Sequence, residues 1–199
     1  MKKAIMGIVL SATLLSATLL SATAGATVYA ADIDQKDTTG EVGFKAPDTG
    51  ALTLVEAADL DFGMHEISAT DQNYTTESDT FSKVQDLRGT EAGWALQVSE
   101  AGQFKNNTHE LTNAQITLVS PTIDTSSTAV AHEKAGVVLK TTNEAAVIMD
   151  AQTGEGNGLA IEDFAKGAAS LSVPGATVKV AGQYTTTLNW VLTDGVANN

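Results

Sequence analysis

Tyr184-Thr185-Thr186-Thr187-Leu188-Asn189-Trp190-Val191-Leu192 is the stretch that decides the fold. Read with period two, it places Tyr184, Thr186, Leu188, Trp190 and Leu192 on one face and Thr185, Thr187, Asn189 and Val191 on the other. Successive side chains of an extended chain point to opposite sides, so this is a strand with one greasy face and one mostly polar face. The same alternation separates Trp94, Leu96 and Val98 from Ala95, Gln97 and Ser99. Each strand is therefore expected to cover a core on one side and meet solvent on the other.

Working outward, residues 51–55, 115–119, 136–140, 145–149, 170–173 and 177–180 are short, rich in β-branched and aliphatic residues, and bounded by Gly, Asn and Asp. That composition favours strands. No segment sustains a 3.6-residue apolar period. The best helical candidate, residues 160–169, is short and interrupted by Gly167. Pro121 and Pro174 mark places where a ladder must stop, because proline donates no hydrogen bond. The pattern predicts an all-β single domain, a sandwich or Greek-key barrel-like arrangement with a minor helix. Residues 71–82 read as a polar loop and residues 32–41 as a flexible leader, leaving 42–199 as the folded domain.

Composition narrows the function. A chain of 199 residues with 43% hydrophobic content is too apolar to stay disordered. A formal net charge of −13, from 11 basic and 24 acidic residues, sets nucleic acid aside, since a phosphate backbone needs clustered Lys and Arg. There is no cysteine, so no disulfide supports the fold and its core must suffice.

The amino terminus reads as an address. Lys2 and Lys3 precede an uncharged run through the imperfect repeat SATLL-SATLL-SAT, and charge resumes only at Asp32. Small residues at Val28-Tyr29-Ala30-Ala31 offer a signal-peptidase site after Ala30 or Ala31, making 1–31 a signal peptide. The alternative is an uncleaved membrane anchor over 4–26, barely long enough to span a bilayer. Cleavage removes two lysines and no acid, so the exported chain is more acidic still. Its end, Val196-Ala197-Asn198-Asn199, carries neither a hydrophobic tail nor a basic stop-transfer cluster, so no transmembrane segment is expected after cleavage.

The residues offer little chemistry. His65, His109 and His132 sit in polar stretches without nucleophile or metal-ligand spacing, and no G-x-S-x-G elbow occurs. Asp59-Leu60-Asp61 would put two carboxylates on one side of an extended strand, a pairing used by calcium sites and glycosidases. Asp150 to Gly158 starts like a calcium loop, but Gln152 and Gly154 stand where Asp or Asn should, and Ile161 occupies the twelfth position. No catalytic residue, metal or cofactor is expected.

Both tryptophans share one local frame: Gly93-Trp94-Ala95-Leu96 and Asn189-Trp190-Val191-Leu192. Asp86-Leu87-Arg88-Gly89 precedes the first, and Tyr184 lies six residues before the second tryptophan. Upstream stands Leu60-Asp61-Phe62-Gly63. In these features the chain resembles the WxL-domain family of Gram-positive cell-surface proteins over about residues 42–195. It departs from the family in lacking a proline after the second motif, where Thr193-Asp194-Gly195-Val196 stands. The resemblance implies non-covalent attachment to the cell wall, with peptidoglycan as the ligand and a membrane-anchored WxL-interacting protein as a further partner. The alternative is an adhesion or assembly subunit that binds another surface protein or host matrix. The motif residues Trp94, Leu96, Trp190 and Leu192 then either contact ligand or build the core, with Asp86, Arg88, Gly89 and Tyr184 in support. Strand alternation favours burial, because it sets each Trp beside aliphatic neighbours that an indole can pack against.

Overall fold

The computed structural model describes Asp34 and residues 36–107 and 109–196. The expected signal peptide, 1–31, lies outside the described residues. Asp34 and residues 36–42 run without regular structure, and a separate compact unit begins at Gly43.

Every regular element among the described residues is a strand. In chain order they are β1 (Leu52–Glu56), β2 (Gln72–Thr75), β3 (Thr80–Asp86), β4 (Trp94–Glu100), β5 (Lys105–Asn106), β6 (His109–Glu110) and β7 (Gln115–Leu118). Then follow β8 (Thr122–Ile123), β9 (His132–Glu133), β10 (Val137–Val138), β11 (Ala146–Ala151), β12 (Gly158–Phe164), β13 (Ala169–Val173) and β14 (Leu188–Asp194). They form three four-stranded sheets, ordered β1-β3-β12-β8, β10-β7-β13-β2 and β14-β4-β11-β9, and a small β5-β6 ribbon. All pairings are antiparallel.

The sheets pack on one core, as an all-β sandwich does. Val84, Ala160 and Phe164 come from the first sheet, Ile116, Leu118 and Leu171 from the second, and Trp94, Leu96, Val98, Ile148 and Met149 from the third. On β3, β7 and β12 these residues alternate with more exposed neighbours, the half-buried pattern of antiparallel sheets.

Four expectations are corrected. The minor helix over 160–169 does not form: those residues are β12, a turn and the start of β13. Ala160, Glu162 and Phe164 are buried while Ile161 and Asp163 are partly exposed, a period of two that wins over local helix propensity. Gly167, at φ 87°, makes the turn. The polar loop over 71–82 contains β2 and the start of β3, held by cross-strand pairing and by buried Thr76, whose hydroxyl accepts from the N–H of Gly167. Residues 177–180 form no strand, because Lys179 turns its ammonium onto the carbonyls around it.

The fourth correction concerns β4, which is buried on both faces. It runs between β14 and β11, and the outward Ala95 and Ser99 are too small to reach past their neighbours to water. In the stretch 184–192, regular pairing begins only at Leu188, yet burial alternates from Tyr184 onward.

A groove beside the paired tryptophans

The two Trp-x-Leu motifs lie side by side. Strands β4 and β14 pair so that Trp190 opposes Val98, Leu192 opposes Leu96 and Asp194 opposes Trp94. Opposed residues on an antiparallel pair share a face, so both motifs turn their Trp and Leu toward the core. Their surroundings differ. Trp94 is 0% exposed, and its indole N–H donates to the carbonyl of Gly156 at 3.3 Å. Gly156 sits at φ 87°, and a Cβ there would come within 2.6 Å of the Trp94 indole nitrogen, so this glycine is the wall of the indole's slot. Trp190 and Leu192 are only half-buried against the same core.

Asp86 and Arg88 fasten the motifs together. The Arg88 guanidinium donates to both carboxylate oxygens of Asp86, from Nε at 3.0 Å and from Nη2 at 2.8 Å. It also donates to the carbonyl of Gly93 at 2.7 Å, immediately before Trp94, and to the carboxylate of Asp194 at the end of β14. Asp86 is 1% exposed. Burial pushes its carboxyl up, but the hydrogen bonds and charge of Arg88 outweigh that and hold it below the ordinary value. Gly89 follows at φ 65° and Gly93 at φ 76°, where a Cβ would run into the carbonyl of Ala151. The Asp-x-Arg-Gly segment thus joins the head of the first motif to the tail of the second.

Beside Trp190 the surface opens into a groove of about 1080 Å³. One wall is residues 57–67. Buried Ala58 and Phe62 anchor it, with the Phe62 ring meeting Phe104 edge-on at 6.2 Å, and the N–H of Ala58 donates to Ser82 Oγ. Residues 179–188 also line the groove. Lys105 and Thr185 exchange two backbone hydrogen bonds, the Thr186 hydroxyl donates to the carbonyl of Gly102, and the Tyr184 hydroxyl accepts from the N–H of Val180. Tyr74 also lines the groove, with the His65 ring stacked on it at 4.0 Å. Aromatic side chains from several separate segments therefore line the groove.

The expected carboxylate pair falls here, in different form. Asp59 and Asp61 both line the groove, but the segment that carries them is irregular and not a strand, and both are exposed. Asp61 accepts from the N–H of Gly63, against which the Glu77 carboxylate also rests. Among the described residues no group of three or more His, Asp or Glu is placed to hold a metal. At the end of β11, Asp150 pairs with Lys134 at 2.8 Å, and in the turn that follows Glu155 accepts from the N–H of Gln152. His132 approaches Glu155 at 2.9 Å.

Two buried carboxyls escaped the sequence reading. Glu100 continues the inward face of Trp94, Leu96 and Val98, and Glu162 sits between Ala160 and Phe164; both are 0% exposed with neither oxygen hydrogen-bonded. Desolvation pushes Glu100 up to about 7, and desolvation together with the nearby charge of Glu133 pushes Glu162 up to about 9. The period-two pattern places both on core faces and was the signal available. Tyr74 and Glu77 also went unnoticed, since they lie in the stretch read as loop.

Comparison with known proteins returned no matching curated protein and no matching solved structure. A family model did match, over residues 30–195, and its description is WxL domain surface cell wall-binding. With most of its length inside that match and two Trp-x-Leu strands paired in one sheet, the chain belongs to the WxL family of surface cell wall-binding domains.

Proposed function

We propose that this is an exported, non-enzymatic protein that attaches non-covalently to the Gram-positive cell wall, with peptidoglycan as its ligand. The observation that carries this reading is the match to a surface cell wall-binding family across residues 30–195. In this reading residues 1–31 direct export and are removed, 32–41 form a leader, and 42–199 are the binding domain. Trp94, Leu96, Asp86, Arg88 and Gly89 build the framework. Trp190 and Tyr184, half-buried on the groove, present aromatic faces of the kind that sugar rings and peptide side chains pack against.

Binding is a better description of the groove than catalysis. Its acids are exposed at the rim, whereas acid–base work in a glycosidase uses one carboxyl whose surroundings raise its pKa beside one that stays ionised. A membrane-anchored partner protein is a further interaction that the reading accommodates. Co-sedimentation with purified sacculi tests the proposal. The expected result is saturable recovery of the protein in the pellet; protein remaining wholly in the supernatant across salt concentrations would overturn it. Muropeptide or reducing sugar released from the same sacculi would overturn the non-enzymatic part.

A further inference from the structure

The groove is acidic as well as aromatic, and that combination selects its ligand. Asp59, Asp61, Glu66 and Glu77 all line it, together with Tyr74, Tyr184 and Trp190. Asp59, Glu66 and Glu77 make no ion pair among the described residues. One lysine lines the groove, which leaves the carboxylates in excess, and its N–H donors are given elsewhere. Lys179 gives its ammonium to three backbone carbonyls, of Ser68 at 3.3 Å, Pro174 at 3.0 Å and Thr177 at 3.1 Å. Three donors meet three acceptors, so this ammonium is spent on pinning its own loop. His65 is likewise held, its Nε2 at 2.6 Å from the carbonyl of Phe62.

A neutral glycan can donate hydroxyl hydrogen bonds to these carboxylates but leaves their charge uncompensated, and an anionic polymer is repelled by them. A primary ammonium gains twice, from charge-assisted hydrogen bonds to carboxylate and from the aromatic faces. The groove volume of about 1080 Å³ is large enough for several residues of an extended chain around that ammonium.

Building on the wall-binding reading above, we propose that the groove between residues 57–67 and 179–188 binds the peptide stem of the wall polymer through a free primary ammonium. Glu66, Glu77 and Asp59 receive the ammonium, while Trp190 and Tyr184 pack against the neighbouring stem. This also accounts for how a chain of formal charge −13 engages an anionic envelope: it reads a cationic group displayed there.

The test uses the purified protein and sacculi in four states: untreated, amine-acetylated, stripped of teichoic acid, and stripped then acetylated. A soluble muramyl peptide with a free side-chain amine, and its N-acetylated form, serve as defined probes read by Trp fluorescence. The expected result is that acetylation weakens binding to sacculi and to the probe at least tenfold, while stripping alone leaves it unchanged. Glu66→Gln/Glu77→Gln should weaken the amine-bearing probe about tenfold and leave the weak binding of the acetylated probe unaltered. Asp48→Asn/Glu144→Gln removes the same charge outside the groove and should change neither by more than about twofold; both variants should melt like wild type.

Equal binding of untreated and acetylated sacculi overturns the proposal and leaves wall attachment standing. Loss of binding on stripping assigns the amine to teichoic acid and overturns the choice of the peptide stem. Protein that fails to bind untreated sacculi at all overturns the wall-binding reading itself.

Discussion

The two Trp-x-Leu motifs have the same three-residue pattern and opposite circumstances. The first is central: β4 has a strand on either side, Trp94 and Leu96 are 0% exposed, and the indole nitrogen is satisfied by a backbone carbonyl. The second is at the margin: β14 ends the sheet, and Trp190 lines a groove with one side toward water. A residue type and spacing therefore do not define a role. Position in the sheet does, because a central strand is shielded on both edges and an edge strand leaves its large side chains partly open. The first motif is framework, and the second is framework that also faces outward.

Substitution of each tryptophan separates these roles most strongly. Trp94→Ala removes a fully enclosed indole and should cost about 4 kcal/mol in urea denaturation, a large share of the roughly 5–15 kcal/mol that holds a domain folded. Next in size is Arg88→Ala, which strands the buried carboxylate of Asp86 and unties Gly93 from Asp194, with an expected loss of about 3 kcal/mol. The Asp86 carboxyl lies below its ordinary value in the folded protein. The stability contributed by the pair is thus fully present above pH 3.8, the ordinary aspartate value, and is lost as pH falls through the lower folded-state value. Denaturation at pH 2.5 and at pH 6 should show that loss in the wild type and little of it in Arg88→Ala.

The buried glutamates shift the opposite way. A carboxyl raised from 4.5 to about 7 or about 9 is kept protonated by folding, so its contribution is intact below pH 4.5 and declines as pH rises through those values. The protein should be more stable at pH 5 than at pH 8, with Glu162 contributing more of the difference than Glu100 because its value lies further above 4.5. Glu162→Gln and Glu100→Gln keep the shape without the ionisation, and each should flatten its share of that slope. A urea midpoint that is level from pH 5 to pH 8 would show that water reaches these groups.

The period-two alternation of 184–192 and 94–98 was enough to predict two core-facing strands and an all-β fold, because face alternation depends only on the local chain. It did not reveal which strand would be central. That is fixed by pairings such as β4 with β11, set by contacts more than 40 residues apart. The misread helix at 160–169 arose for a related reason: Ala, Glu and Phe are locally compatible with a helix, and the cross-strand pairing of β12 with β3 overrides that preference. At the site, Trp190, Tyr184, Asp59 and Asp61 were all visible as residues. Their convergence on one groove was not, since Glu77 and Tyr74 enter it from a stretch whose polarity read as loop.

Trp190→Ala is expected to have the smallest effect on stability and the most informative one on function. The indole is half-buried on an edge strand, so its removal forfeits only part of the burial that Trp94 enjoys, about 1 to 2 kcal/mol. The variant should therefore remain folded at 25 °C, with a near-native far-UV spectrum, and its affinity for sacculi can be measured directly. Loss of a packing face in the groove should reduce that affinity about tenfold, as removal of a stacked aromatic does at other recognition surfaces. In Trp190→Phe, which retains an aromatic face, most of the affinity should return. If Trp190→Ala were as destabilising as Trp94→Ala, the edge strand would be as essential to the core as the central one. If it were stable and still bound sacculi like wild type, the second tryptophan would be packing alone, and the wall contact would have to be sought away from the groove.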